Sequence, residues 1–136
     1  MVGRGPVRTG VTALLPRGRE GAASSVFAGY FSLNGNGELT GLEWVRESGM
    51  LGGVIGITNT HNVGTVRDAI IHWQAKNNAL FQSWSCPLVA ETADGWLNDM
   101  NGFHVKPEHV EAFIGATVAK HLGVKWGVGQ SLQDPA

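Results

Sequence analysis

The chain has 136 residues, which is the size of one domain, and its formal net charge at pH 7 is −1. This charge lacks the basic excess typical of nucleic-acid-binding proteins, and no apolar stretch reaches the roughly 18 residues that span a bilayer. Charged residues make up only 15% of the chain, and its 20 glycines are about twice the usual share of ~7%, so many tight turns are expected.

Four segments are predicted to be β-strands because they are apolar or rich in β-branched residues and are bounded on at least one side by Gly, Pro or Asn. In chain order they are residues 7–15, 26–33, 54–58 and 88–92. The third is apolar on both faces apart from Gly56, a pattern typical of a buried central strand.

Three helices are predicted from their start signals. Thr40 and Thr65 each stand three residues before a carboxylate, which fits a capping box, and Pro107 suits the first position of a third helix. Gly49 is predicted to end the first helix.

Apolar spacing predicts one buried face for each of the other two helices. The buried residues are expected to be Val66, Ala69, Ile70 and Trp73, then Val110, Phe113, Ile114 and Thr117. The order β β α β α β α predicts a single domain of α/β or mixed α+β class.

Two polar segments adjoin these elements. Residues 34–37 (Asn-Gly-Asn-Gly) are able to aim amides at an oxyanion or a carboxylate, but a plain turn has the same composition. Residues 57–62 follow the most buried strand, where sites are common in α/β sheets, although Asn59 and its neighbours equally suit a turn and a helix cap.

Residues 91–102 hold three carboxylates and two Asn residues. One carboxylate at a strand end is suited to binding a cationic group, two could flank a sugar, and surface turns are the alternative. The histidines lack the spacing of a metal site, so no metal is predicted, and the single cysteine, Cys86, forms no internal disulfide.

Several long strings together resemble one known family. They are VGRGPVRTGVTALL, VFAGYFSLNGNGE, ITNTHNVGTVRD and PLVAETADGWLNDMNGFHVKPEHV, with residues 40–49 between the second and third. Across residues 2–114 the chain resembles the L-aminopeptidase/D-esterase family, which includes the β-peptidyl aminopeptidases.

This resemblance implies part of a four-layer αββα hydrolase similar to N-terminal-nucleophile enzymes. In such a family the precursor cuts itself before a serine, which then attacks an amide or ester with its own α-amino group as candidate base. Members release N-terminal residues from small peptides, amides or esters. The resemblance implies no metal and no organic cofactor.

By position, Trp84 and Glu91 match pocket residues of the family, and Asn34 and Asn59 are further substrate-binding candidates. Glu91 is expected to bind the α-ammonium of the substrate, since a charge-assisted hydrogen bond selects a free N-terminus. The family usually has Tyr where this chain has Ala93, which weakens the case for ordinary catalysis.

The resemblance implies that the chain is a first-subunit portion. Met1 directly before Val2 indicates an interior start, residues 118–136 diverge, and the nucleophile and second subunit would lie beyond residue 136, so no catalytic residue is predicted here. The isolated chain is expected to be inactive, and to be either oligomeric or poorly soluble. It is expected to be cytoplasmic because no signal peptide is seen. The alternative is a non-catalytic binding or assembly module that docks onto a full-length relative.

Overall fold

The structure is a computed structural model that describes residues 6–119, with side chains described as far as Gly115. Its main elements are β1 (Val11–Leu14), β2 (Ser25–Phe27), α1 (Leu42–Ser48), β3 (Met50–Gly52), β4 (Ile55–Asn59), α2 (Val63–Lys76), β5 (Leu88–Thr92) and α3 (Pro107–Ala119). Helices and strands are mixed, as the predicted α/β class requires. The four-layer arrangement stays a prediction, and the tail at 118–136 lies almost wholly outside the described residues.

A three-stranded sheet in the order β1-β4-β5 forms the centre of the described part. β1 pairs antiparallel with β4, whereas β4 and β5 are parallel and are joined through α2. A parallel pair needs such a crossover, because the chain must return to the same end of the sheet. The central position predicted for the third strand is therefore confirmed, with the observed strand one residue further along.

α2 and α3 pack against each other and against this sheet, α2 on β4 and β5 and α3 on β1. All four residues predicted for the inner face of the first of these helices are buried, and Val110 and Ile114 are fully buried in the other. Phe113 is partly buried, and the side chain of Thr117 lies outside the described residues. Apolar spacing thus identified both inner faces correctly.

Both predicted capping boxes are wrong. α1 begins after Gly41, whose left-handed backbone makes the cap without a side-chain hydrogen bond, and Thr65 lies inside α2, which begins at Val63. The Thr40 hydroxyl instead donates to the Pro87 carbonyl, because the chain at this point lies along β5. The predicted helix end at Gly49 is confirmed, since its N–H donates to the Val45 carbonyl (2.8 Å).

The first two strands are shorter than predicted. Only residues 26 and 27 of the second segment are in a strand, β2, whose partner is β3, a three-residue strand that was not predicted. Residues 28–38 contain no strand and run across the surface instead. This irregular segment becomes one wall of the site described below.

Gly56 and Gly115 are expected to respond oppositely to replacement by alanine. A Cβ on Gly56 would lie 2.8 Å from Val66 Cγ1 and 3.1 Å from Ile70 Cδ1, whereas one on Gly115 of α3 would meet no atom within 4 Å. Overpacking should make Gly56→Ala destabilising by about 1–3 kcal/mol. Gly115→Ala should stabilise by about 0.5–1 kcal/mol, because glycine weakens a helix interior.

Urea unfolding followed by circular dichroism measures both changes. A Gly56→Ala variant as stable as the unmodified chain would contradict the close packing of α2 against the middle of β4.

Candidate substrate-binding site

A cavity of about 410 Å³ lies between the irregular segment after β2 and the end of β5. Its wall is largely apolar, and Glu91 contributes a carboxylate to it. The lining includes Tyr30, Phe31, Leu33, Asn34, Gly37 and Glu91. Two of the predicted substrate-binding residues, Asn34 and Glu91, are therefore brought together here.

The irregular segment is held against β5 at residues 39 and 40. The Thr40 N–H donates to the Val89 carbonyl (3.1 Å), and the Thr40 hydroxyl accepts from the Val89 N–H (3.1 Å) while donating to the Pro87 carbonyl (2.9 Å). Leu39 also forms an antiparallel bridge with Ala90. These contacts place the turn at residues 34–37 over the side chain of Glu91.

Glu91 is held at the end of β5 without a hydrogen-bond donor for one of its oxygens. Its Oε2 is buried and has no partner among the described residues. Gly37 lies so near that a Cβ there would stand 2.7 Å from Glu91 Oε1. A buried carboxylate oxygen without a partner is costly, so this position of Glu91 does not contribute to the stability of the fold.

Asp94 follows three residues later and has the same deficiency, since its Oδ1 is buried and unpartnered within residues 6–119. Burial raises the pKa of Asp94, a backbone hydrogen bond partly opposes this, and the nearby negative charge of Glu91 raises it further. Neither carboxylate forms a salt bridge in the described part of the chain. The pair thus creates a local excess of negative charge.

Asn34 serves the turn as well as the cavity. Its Oδ1 accepts a hydrogen bond from the Asn36 N–H (3.0 Å), which is the local bonding expected of an Asx turn. Its side chain is exposed at the cavity rim. The turn interpretation is supported, and contact with a substrate stays a prediction.

Asn59 lies elsewhere, at the carboxyl end of β4, and is 1% exposed. Its Nδ2 donates to Thr9 Oγ1 (2.6 Å) and to Asn62 Oδ1 (3.0 Å), and Asn62 Nδ2 donates to the Val105 carbonyl. These bonds join β4 to the chain segments before β1 and α3. Asn59 does not line the cavity, so a substrate-binding role for it stays a prediction.

Trp84 and Ala93 also lie outside the cavity lining. The half-exposed indole of Trp84 packs edge-on against Trp44, with 4.9 Å between ring centroids, which links the loop before β5 to α1. Ala93 is exposed two residues after Glu91. The roles proposed for these positions remain predictions.

Two residues near Glu91 were not among the predicted site residues: Gly37, which lines the cavity, and Asp94, which lies outside the lining but whose pKa is raised in part by the charge of Glu91. Asp94 was one of several acidic residues in a segment that equally suited surface turns, and only its burial distinguishes it. Gly37 was part of a segment interpreted either as a plain turn or as one that aims amides at an oxyanion or a carboxylate. The signal for Asp94 was the pattern Glu-Thr-Ala-Asp-Gly at a strand end, but spacing alone does not show which carboxylates are buried.

Among residues 6–119, no cluster of three or more His, Cys, Asp or Glu side chains is arranged to hold a metal ion. Within the same residues, no helix has the length and apolar character needed to cross a bilayer.

Two curated relatives of this chain are both beta-peptidyl aminopeptidases. The chain is 56% identical over 107 residues to a beta-peptidyl aminopeptidase of Sphingosinicella microcystinivorans, a match that covers 79% of this chain and 26% of the relative. It is 42% identical over 117 residues to the corresponding enzyme of Sphingosinicella xenopeptidilytica, covering 84% and 29%. The chain thus spans between a quarter and a third of the length of these relatives.

Solved structures give the same result. A beta-aminopeptidase from a Burkholderia species matches with a TM-score of 0.73 and 50% identity, over 81% of this chain and 31% of that one. The L-aminopeptidase D-Ala-esterase/amidase of Ochrobactrum anthropi, described as a variant of the Ntn hydrolase fold, matches with a TM-score of 0.72 and 39% identity, over 80% and 31%.

The expected family is therefore confirmed at three levels. The family model described as peptidase family S58 matches residues 1–130, nearly the whole sequence. The irregular segment after β2, the Thr40 contacts with β5 and the Glu91 carboxylate all lie within that match. The chain belongs to peptidase family S58.

Proposed function

We propose that this chain provides the ammonium-binding part of a serine aminopeptidase that releases N-terminal residues from small peptides, amides or esters. The single observation that carries the proposal is the Glu91 carboxylate, which lines a largely apolar cavity and has no salt-bridge partner in the described part of the chain. The names of the relatives, aminopeptidases that include two beta-peptidyl enzymes, support the same activity.

A free N-terminus fits the charge of this site. An α-ammonium has three N–H donors and a positive charge, so it supplies the cation that the Glu91 carboxylate lacks and reduces the repulsion between Glu91 and Asp94. An acylated N-terminus has one donor and no charge and would leave both carboxylates uncompensated. The apolar wall formed by Tyr30, Phe31 and Leu33 would then receive the first side chain of the substrate.

The chemistry itself is proposed to come from the part of the enzyme that this chain does not match. In the family resemblance, a serine freed by self-cleavage attacks the scissile carbonyl. The role assigned to the present chain is to hold the amine end so that the carbonyl of the same residue lies within reach. Orientation of this kind lowers the barrier because the reacting groups need not find each other by diffusion.

An assembly role is the second candidate, and the exposed face of the sheet favours it. Strand residues alternate between the two faces, and those opposite α2 and α3 are only partly covered although several are apolar. Leu14, Ile55, Ile57 and Leu88 belong to this face. Sheets normally cover such a face with another layer, so a second subunit or a second copy is a suitable partner.

Exchange of the matched region tests the aminopeptidase proposal. A hybrid of the Sphingosinicella microcystinivorans enzyme, in which its matched segment is replaced by the 107 aligned residues of this chain, is expected to cleave a β-amino-acid p-nitroanilide. Glu91→Gln in that hybrid should lower kcat/KM about 10- to 100-fold, the value of a charge-assisted hydrogen bond of roughly 1.5–3 kcal/mol.

Glu47→Gln is the matched control because Glu47 is exposed on α1, outside the cavity lining. It should leave the rate unchanged. Equal rates for the Glu91 and Glu47 variants would contradict ammonium binding by Glu91.

The raised pKa of Asp94 predicts a pH dependence for ligand binding. Below that pKa the Asp94 carboxyl is neutral, so an ammonium is attracted less; as pH rises through it, the second negative charge appears and affinity should increase. Leucinamide is a suitable probe because its amine, with a pKa of about 8, stays protonated at acidic pH. Asp94→Asn should reduce the gain in affinity between pH 4 and 6.5, measured by NMR titration of this chain.

The free energy of unfolding should fall as pH rises through the pKa of Asp94, whereas ligand affinity should increase. Since the folded state raises the pKa of Asp94, that carboxyl favours folding when protonated, and its contribution declines as pH rises through the raised pKa. Asp94→Asn should therefore flatten the fall in unfolding free energy above pH 4. An unchanged slope would argue against burial of this carboxyl.

Association through the open sheet face is tested at one cross-strand pair. Ile57 lies directly opposite Thr12 in the β1–β4 register, and both point away from the helices. Ile57→Thr should weaken self-association, and Thr12→Val should strengthen it, because each changes the apolar area of the same face. Sedimentation velocity over a concentration series measures both, and a monomeric unmodified chain would contradict association through this face.

A further inference from the structure

Gly37 contacts the Glu91 carboxylate more closely than a side chain would allow. A Cβ built on Gly37 would lie 2.7 Å from Glu91 Oε1 and 3.4 Å from its Cδ. Real Cβ atoms do not approach a neighbouring atom as closely as the first distance, so any other residue would displace the carboxylate or the turn. Both residues line the same cavity.

The backbone does not explain this glycine. The glycines with positive φ in the described residues are Gly18, Gly41, Gly49 and Gly53, and Gly37 is not among them. An L side chain is therefore compatible with the conformation at residue 37, and only the space beside Glu91 is limiting.

Gly35, two residues earlier in the same turn, provides the contrast. It also lacks a positive φ, and a Cβ there would meet no atom within 4 Å. The two glycines thus share a turn and a permissive backbone but differ in one respect, the nearness of the carboxylate.

We infer that Gly37 is a specificity-determining residue of this site: its missing side chain keeps Glu91 Oε1 reachable from the cavity by a primary ammonium group. This inference rests on the proposed function, because it assigns to Gly37 the access to the carboxylate that binds the ammonium. Glu91 Oε2 is buried, so Oε1 is the oxygen that the gap beside Gly37 leaves open. Even a methyl group at residue 37 would cover it or push it away.

The Glu91 carboxylate is the end of a flexible side chain, so it is able to move, but its surroundings offer no compensating contact. Asp94 already feels the charge of Glu91, and the Oε2 side is buried without a donor in the described part of the chain. A methyl group at residue 37 would therefore either block the ligand or force the carboxylate into poorer surroundings. In both cases the affinity for a free amine falls, while binding that depends only on the apolar wall is preserved.

NMR titration of the 136-residue chain with leucinamide tests the inference, with N-acetylleucinamide as the neutral probe. Gly37→Ala should weaken leucinamide binding at least about tenfold, the scale of one charge-assisted hydrogen bond, and Gly35→Ala should change it by less than about twofold. The weak response to N-acetylleucinamide should be the same in both variants.

A shortened carboxylate provides the second variant. Glu91→Asp withdraws the carboxylate by one methylene, so adding Gly37→Ala to Glu91→Asp should cost much less than adding it to the unmodified chain. If the single Gly37→Ala variant fails to fold, folding is the measurement instead: the double variant should fold because the shorter carboxylate removes the clash, and a double variant that also fails to fold would overturn the inference. Equal costs in the two backgrounds would overturn the inference.

The two proposals fail in different ways. Unchanged leucinamide affinity in Glu91→Gln, or no response of the unmodified chain to leucinamide, would overturn the proposed function and this inference with it. A large loss in Glu91→Gln together with no loss in Gly37→Ala would overturn only the role of Gly37.

Discussion

The attachment of residues 39 and 40 to β5 determines the geometry of the site. Thr40 makes three hydrogen bonds, two to the backbone of Val89 and one to the carbonyl of Pro87, and Leu39 forms a β-bridge with Ala90. Without them the irregular segment after β2 would have no fixed position over Glu91. The cavity, its apolar wall and the close approach of Gly37 all depend on this attachment.

The Glu91 and Asp94 carboxylates give this region a local negative charge. Two carboxylates three residues apart, each with one buried and unpartnered oxygen, are held where the described chain supplies no cation. A fold maximising its own stability would pair or replace them, because buried charges without partners are destabilising. Under the proposed function, the ammonium of the ligand supplies the positive charge that the protein itself leaves out.

Local sequence patterns predicted the parts of this fold that local physics governs. Apolar spacing identified the buried faces of α2 and α3, and the run of apolar residues identified β4 as central, because burial follows directly from periodicity. The capping-box predictions were wrong for two reasons. The Thr40 hydroxyl donates to the Pro87 carbonyl instead of capping α1, and α2 begins before Thr65, at Val63. The three-residue strand β3 has no periodicity to detect.

The site was predictable only in part for a related reason. Glu91 was predicted through resemblance and its place at a strand end, whereas the roles proposed for Gly37 and Asp94 rest on what packs beside them. A glycine in an Asn-Gly-Asn-Gly turn has an adequate local explanation, and nothing in that string indicates a carboxylate from a distant strand. Positions of this kind become visible only when tertiary structure shows that two glycines of one turn, Gly35 and Gly37, have different neighbours.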